Sequence, residues 1–272
     1  MSSHAANVLS PVPLLHEKNA VIYGGGGTIG SAVARAFARE GAAVFLAGRT
    51  LERVQAVAND ITLQGGTAEA AQVDAGDERA VEEHLDRVVV TAGRIDVLFD
   101  AVGMEDVQGT SLLEIPFEDF ARPVLVSTTT KFTTARAAAR HMVQQGSGVI
   151  MTITAEPTPA EDMGGFMVAC AAVEALWRTL AYELGPRGIR LVVLRSAGSP
   201  DAPGVQSVVS VHAAKEGMSP EEYHTDEGNR TMLRRLPLVI EVANAATLLA
   251  SDRASAMTAM NANVTCGAFF DL

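Results

Sequence analysis

Positive charge is scarce in this chain: 21 Lys and Arg stand against 32 Asp and Glu, a formal net charge of −11 over 272 residues. Binding to a phosphate backbone or an anionic membrane surface needs clustered cations, so nucleic-acid and membrane partners are excluded. Cysteine is scarce too. Cys170 and Cys266 have no ligand-type spacing to each other or to histidine, so reduced, buried thiols are expected rather than a disulfide or a metal site. The first fifteen residues have neither a basic start nor a long apolar run, which argues against a signal peptide or membrane span. An N-terminal arm over 1–17, mobile or packed at an interface, and a cytoplasmic protein are expected. No Pro/Gly/Ser linker divides the remainder, so 18–272 reads as one domain, and 48% hydrophobic content suffices for its core.

What is present is an alternation. Short apolar runs at 20–23, 43–47, 68–73, 95–101, 149–153, 191–194 and 261–265 predict strands. Between them, helical patterns run over 29–39, 51–61, 78–92, 117–144, 165–184 and 239–251. Short strands apolar on both faces and separated by helices predict an α/β, doubly wound parallel sheet of the Rossmann type with about seven strands. Residues 198–236 break the rhythm with Pro200, Pro203, Gly204, Gly217, Pro220 and Gly228, and read as a lid.

The strongest motif joins the first strand to the first helix: Tyr23-Gly24-Gly25-Gly26-Gly27-Thr28-Ile29-Gly30, in which Gly25, Gly27 and Gly30 satisfy G-x-G-x-x-G. Residues without Cβ atoms let a pyrophosphate approach the turn, and the helix N-terminus offers free N–H groups. Gly24, Gly26, Thr28, Ile29 and Gly30 are therefore candidate cofactor-binding residues, the alternative being a merely flexible turn. After the second strand, Gly48 stands where an NAD enzyme usually carries an acid, and Arg49 follows it. That pair favours NADP over NAD, because a 2′-phosphate is welcomed by arginine; the alternative is a solvated charge. Asp74, followed by Ala75, is placed to accept from an adenine amino group, or else to cap the helix near Asp77.

Together with Asp100-Ala101-Val102-Gly103, the segments 171–176 and 184–190, Ser196-Ala197-Gly198 and Val264-Thr265-Cys266-Gly267, the glycine turn resembles the short-chain dehydrogenase/reductase family over residues 18–272. The resemblance implies a nicotinamide cofactor touched by Ala101, Val102, Gly103, Ser196 and Gly198, and a small-molecule substrate. It also implies a homodimer or homotetramer paired through the helices over 117–144 and 165–184, where Ala135, Ala138 and Ala139 would allow close approach.

The family's catalytic positions do not carry over. Its helix asparagine falls at Ser127, its serine at Ala155 with Thr154 the nearest hydroxyl, its tyrosine at Phe166 and its lysine at Cys170. In the family the tyrosine protonates substrate oxygen while hydride reaches carbon, and the lysine lowers the tyrosine pKa. Losing such an acid costs on the order of 10²–10⁴ in rate. Tyr23, Tyr182 and Tyr223 have no lysine one or two helical turns on. Candidate replacements are Lys131, four residues after Ser127 on one helix face, together with Ser127, Thr154 and the lid residues Tyr223 and His224. Glu156, Glu161 and Asp162 are possible bases. Three readings stay open: an atypical NADP-dependent oxidoreductase acting on a carbonyl, activated enone or quinone; a non-redox lyase, cyclase or isomerase; and a catalytically silent NADP-binding module.

Overall fold

The computed structural model describes residues 12–155, 158 and 160–269. Glu156 and most of the expected N-terminal arm lie outside the described residues. The arm's last residues join the domain itself. Leu15 is fully buried, and its amide donates to the Glu40 carbonyl at 2.9 Å.

The chain runs β1 (Asn19–Tyr23), α1 (Thr28–Arg39), β2 (Ala43–Gly48), α2 (Leu51–Leu63), β3 (Thr67–Gln72), α3 (Glu78–Ala92), β4 (Val97–Asp100), α4 (Phe117–Gln145), β5 (Gly148–Ala155), α5 (Phe166–Leu184), β6 (Ile189–Ser196), α6 (Gln206–Lys215), α7 (Pro220–Arg230), α8 (Val239–Ala250) and β7 (Met260–Val264). The seven strands are all parallel, in the order β3-β2-β1-β4-β5-β6-β7. The strand order reverses between β1 and β4, which opens a crevice at the carboxyl ends of these strands, where α/β sheets bind ligands.

Apolar residues cover both faces. Val33 and Phe37 of α1, Val54 and Ile61 of α2 and Val242 and Ala246 of α8 pack with the sheet on one side. Val81 and Leu85 of α3, Ala135 and Ala138 of α4 and Val173 and Trp177 of α5 pack on the other. The expected role of Ala135, Ala138 and Ala139 between subunits is corrected here. They are 0%, 0% and 6% exposed within the single chain, because their small side chains bring α4 close to its own sheet and α5. The outward faces of α4 and α5 carry Leu125, Phe132, Val168 and Tyr182 instead, all exposed.

Local chemistry sets the helix ends. The Asp77 carboxylate accepts from the Ala80 amide to cap α3, and left-handed Gly93 and Gly146 end α3 and α4. Ser219 and Glu222 form a capping box at α7. Pro123 lies inside α4, and a Cβ on Gly165 would lie 1.9 Å from the Phe120 carbonyl oxygen one turn before it. Glycine at this position lets the start of α5 press against α4.

Candidate active site

The glycine turn is built for close backbone approach. Gly24 has φ +72°, and a Cβ there would lie 2.6 Å from the Ala101 carbonyl; a Cβ on Gly30 would lie 2.2 Å from the Gly24 carbonyl oxygen. The turn is thus pressed between β4 and α1. Gly27 is the N-cap of α1 and offers no side-chain cap, so the amides of Thr28, Ile29 and Gly30 point out of the helix without intrahelical partners. Ser199, just past the Ser196-Ala197-Gly198 turn, is 4% exposed, yet its Oγ has no hydrogen-bond partner. An uncapped helix start, a side-chain-free turn and an orphaned buried hydroxyl fit a dinucleotide whose diphosphate sits on α1. A cleft of about 520 Å³ opens beside this turn, between Gly26, Gly27 and Thr28 on one side and Asp201, Pro203 and Val239 on the other.

Register aligns the remaining candidates along the same edge. Tyr23 pairs with Ala47 and Asp100, and Ala155 pairs with Ser196. The loop Ala101–Gly103 is anchored through Asp100, which is fully buried. Its Oδ1 accepts from the Val102 amide at 2.9 Å and its Oδ2 from Thr134 Oγ1 at 2.7 Å. Lys131, 1% exposed, donates to the Val102 carbonyl at 3.0 Å and stands 3.7 Å from Asp100 Oδ1. Lys131 is therefore buried, and its ammonium holds the loop on which a cofactor would rest. Ser127 donates to the Pro123 carbonyl at 2.5 Å, one turn back along α4.

Thr154 is also engaged, donating to Glu174 Oε1 at 3.0 Å. Glu174 is 6% exposed and receives a two-pronged contact from Arg195, Nε to Oε1 and Nη2 to Oε2, both at 2.6 Å, with Asn261 Nδ2 adding 3.2 Å. This cluster ties α5, β5, β6 and β7 together. Sequence reasoning missed it, although Arg195 within the apolar strand LVVLRS was a signal, because a cation there needs a buried acid.

The positions assigned to serine, tyrosine and lysine do come together, without their chemistry. Ala155, Phe166 and Cys170 pack in one apolar cluster with Met104, Ala169 and Val124. Cys170 Sγ lies 3.9 Å from Met104 Sδ. Burial pushes the Cys170 thiol up to about 11, outweighing the opposing backbone hydrogen bond at Ala155 and the charge of Lys131. At neutral pH it is an unreactive thiol.

Residues 198–236 carry α6 and α7, and α6 packs against the loops that precede α4 and α5. Lys215 of α6 forms an ion pair with Asp162, His212 Nε2 meets Gln108 Oε1 at 2.9 Å, and the Gly109 amide donates to the Asp162 carbonyl at 2.8 Å. Tyr223 of α7 stacks on His212, with ring centroids 6.4 Å apart, and burial followed by Glu227 and Glu216 pushes its phenol above the ordinary value. His224 Nε2 is buried and without a partner. Glu161 stays exposed.

On the adenosine side, Arg49 Nη1 lies 2.8 Å from Glu105 Oε1. Asp74 is exposed and bonds the Gly76 amide at 2.9 Å, while Ala75 is buried in the core. Asp77, not Asp74, caps α3. Among the described residues no His, Cys, Asp and Glu group is arranged to hold a metal ion, and no helix is long and apolar enough to cross a membrane.

Sheet order and glycine turn together define a Rossmann-type α/β domain. The comparisons place it further. The family model described as Enoyl-(Acyl carrier protein) reductase matches residues 26–268. Secoisolariciresinol dehydrogenase of Forsythia intermedia is 32% identical over 254 residues, covering 91% of this chain and 87% of that protein. The (+)-cis,trans-nepetalactol synthase NEPS1 of Nepeta racemosa is 30% identical over 269 residues, covering 94% of each. Among solved structures, an NAD+-bound xylitol dehydrogenase matches with a TM-score of 0.87 at 26% identity, over 93% of this chain and 99% of that one. The chain belongs to the short-chain dehydrogenase/reductase family, a family of oxidoreductases that bind nicotinamide nucleotides.

Proposed function

We propose that this protein is an NADP-preferring oxidoreductase that reduces a small carbonyl compound, an activated enone or a quinone without a tyrosine acid. The observation that carries the reading is the pairing of an intact dinucleotide cradle with an apolar cluster, Met104, Ala155, Phe166 and Cys170, where the family's proton relay would stand. Reduced nicotinamide, when bound, supplies the hydride. The chain's own residues bind, orient and exclude water. The amides of Thr28, Ile29 and Gly30 hold the diphosphate, and Arg49 takes the 2′-phosphate. The Ala101–Gly103 and Ser196–Gly198 turns shape the nicotinamide half. Lys131, Ser127 and Thr154 act as positioning residues through the contacts described above, and the apolar cluster keeps water from the path of the hydride.

Enones and quinones suit such a site because the negative charge they gain is delocalised. Their oxygen therefore demands less from a positioned donor than a simple ketone does. The proton comes from water or from the lid, where Tyr223 stays protonated and able to donate. Stopped-flow absorbance at the nicotinamide band with quinones, enones and ketones tests the reading. Tight NADPH binding with no oxidation by any of them overturns it and leaves a nucleotide-binding module. A non-redox lyase, cyclase or isomerase is favoured by one finding, the relative named a synthase; turnover that survives removal of nucleotide would establish it. The exposed Leu125, Phe132, Val168 and Tyr182 further support a homodimer or homotetramer formed through α4 and α5, checked by light scattering.

A further inference from the structure

The cation expected to receive a 2′-phosphate is already engaged. Arg49 follows β2 and Glu105 follows β4, and these strands flank β1 on opposite sides. Their 2.8 Å contact therefore crosses the carboxyl edge of the sheet above the glycine turn. Glu105 holds a left-handed backbone, φ +55°, a conformation that costs a non-glycine residue energy and has to be sustained by its surroundings.

The geometry points to Glu105 as a cofactor-specificity residue: its carboxylate occupies Arg49 from across the groove and weakens the hold on NADP while leaving NAD nearly untouched. The inference rests on the dinucleotide reading given above and deepens it. A 2′-phosphate carries close to two negative charges and must displace Glu105 from the guanidinium, then lie beside the displaced carboxylate. NAD brings ribose hydroxyls, which Glu105 does not repel. The side chains are 67% and 41% exposed, so the pair opens at small cost. Phosphate is the stronger partner for a guanidinium fork. NADP is thus admitted, with a preference smaller than Arg49 alone would give.

The test is calorimetric titration of NADP+ and NAD+ into the full chain, its Glu105→Gln and Arg49→Gln variants, and the double variant. Glu105→Gln is expected to tighten NADP+ roughly three- to tenfold and to leave NAD+ within about twofold. In the Arg49→Gln background the same change is expected to give no gain. An unchanged ratio of NADP+ to NAD+ affinity in Glu105→Gln overturns the inference while the dinucleotide reading stands. So does a gain that persists without Arg49, which would mark a general charge effect. Failure of the wild type and of Glu105→Gln to bind either nucleotide overturns the dinucleotide reading, and this inference with it.

Discussion

Lys131 of α4 donates to the Val102 carbonyl at 3.0 Å and faces the buried carboxylate of Asp100 at 3.7 Å. The contact fastens the longest helix to the loop after β4, which is in turn pressed on the glycine turn at Gly24 and Ala101. Lys131→Met would strand a buried charge, and breaking a buried pair in this way costs about 3–5 kcal/mol. Urea denaturation should show that loss, together with weaker nucleotide binding. Asp100→Asn added to Lys131→Met should recover much of the stability, since both charges are then gone.

Restoring the family's pair should not restore its reaction. In Phe166→Tyr, Cys170→Lys the new ammonium lies among Met104, Ala169 and Ala155 and near Lys131. Burial and a like charge both depress its pKa. Ala155 and Ser127 still differ from the family's serine and asparagine. NADPH oxidation with ordinary ketones should stay at background; ready turnover by the double variant would show that only tyrosine and lysine were missing.

His84 links stability to pH. Its Nδ1 lies 2.9 Å from Tyr23 Oη, both residues are buried, and burial followed by Arg87 holds the imidazole down at about 4. The Tyr23 phenol is pushed up by burial and by Asp100, so it stays the donor. Because the folded imidazole resists protonation, the unfolded chain takes up the proton first. Stability is then full above the ordinary value of about 6.5 and falls as pH drops from there toward 4. The total is about 3 kcal/mol. Urea midpoints measured between pH 7.5 and 4.5 should fall accordingly, with a flatter profile in His84→Gln.

Gly30→Ala tests the cradle. Its Cβ would meet the Gly24 carbonyl oxygen at 2.2 Å, so β1, the turn and α1 must separate. A loss of about 1–3 kcal/mol is expected. Nucleotide binding should fall further than stability, because the displaced turn is the diphosphate seat. Thermal melts with and without NADP+ would separate the two effects.

The strands and helices were legible because the apolar runs and periods in this sequence are long and consistent. Differences lie at ends decided by distant partners. The strand expected over 95–101 spans only Val97–Asp100, where Asp96 turns its carboxylate to the Asn19 amide and Arg94. The strands expected over 149–153 and 191–194 extend to Ala155 and Ser196, held by Glu174 between Thr154 and Arg195. Residues 198–236 form α6 and α7, and only the second announces itself in the sequence, through Ser219 and Glu222. Lys131 stood out in the sequence as a candidate replacement for the missing lysine, but its burial and its contacts with Val102 and Asp100 were not readable there. Nor was the engagement of Arg49 by Glu105, 56 residues away in the chain.

The sequence by itself determined the doubly wound sheet, the glycine turn that opens α1, and the side chains at Ala155, Phe166 and Cys170, none of which carries a phenol or an ammonium. Periodicity, missing Cβ atoms and missing functional groups are properties of residues and short spacings. The tertiary structure alone decided that those three positions pack with Met104 into one apolar cluster. It also decided that Ala135 and Ala138 face the chain's own core, and that the scarce cations Lys131 and Arg49 are held by Asp100 and Glu105. These outcomes depend on which strands lie side by side at the carboxyl edge, since charges and side chains far apart in sequence meet only after the sheet has brought them within a few ångströms.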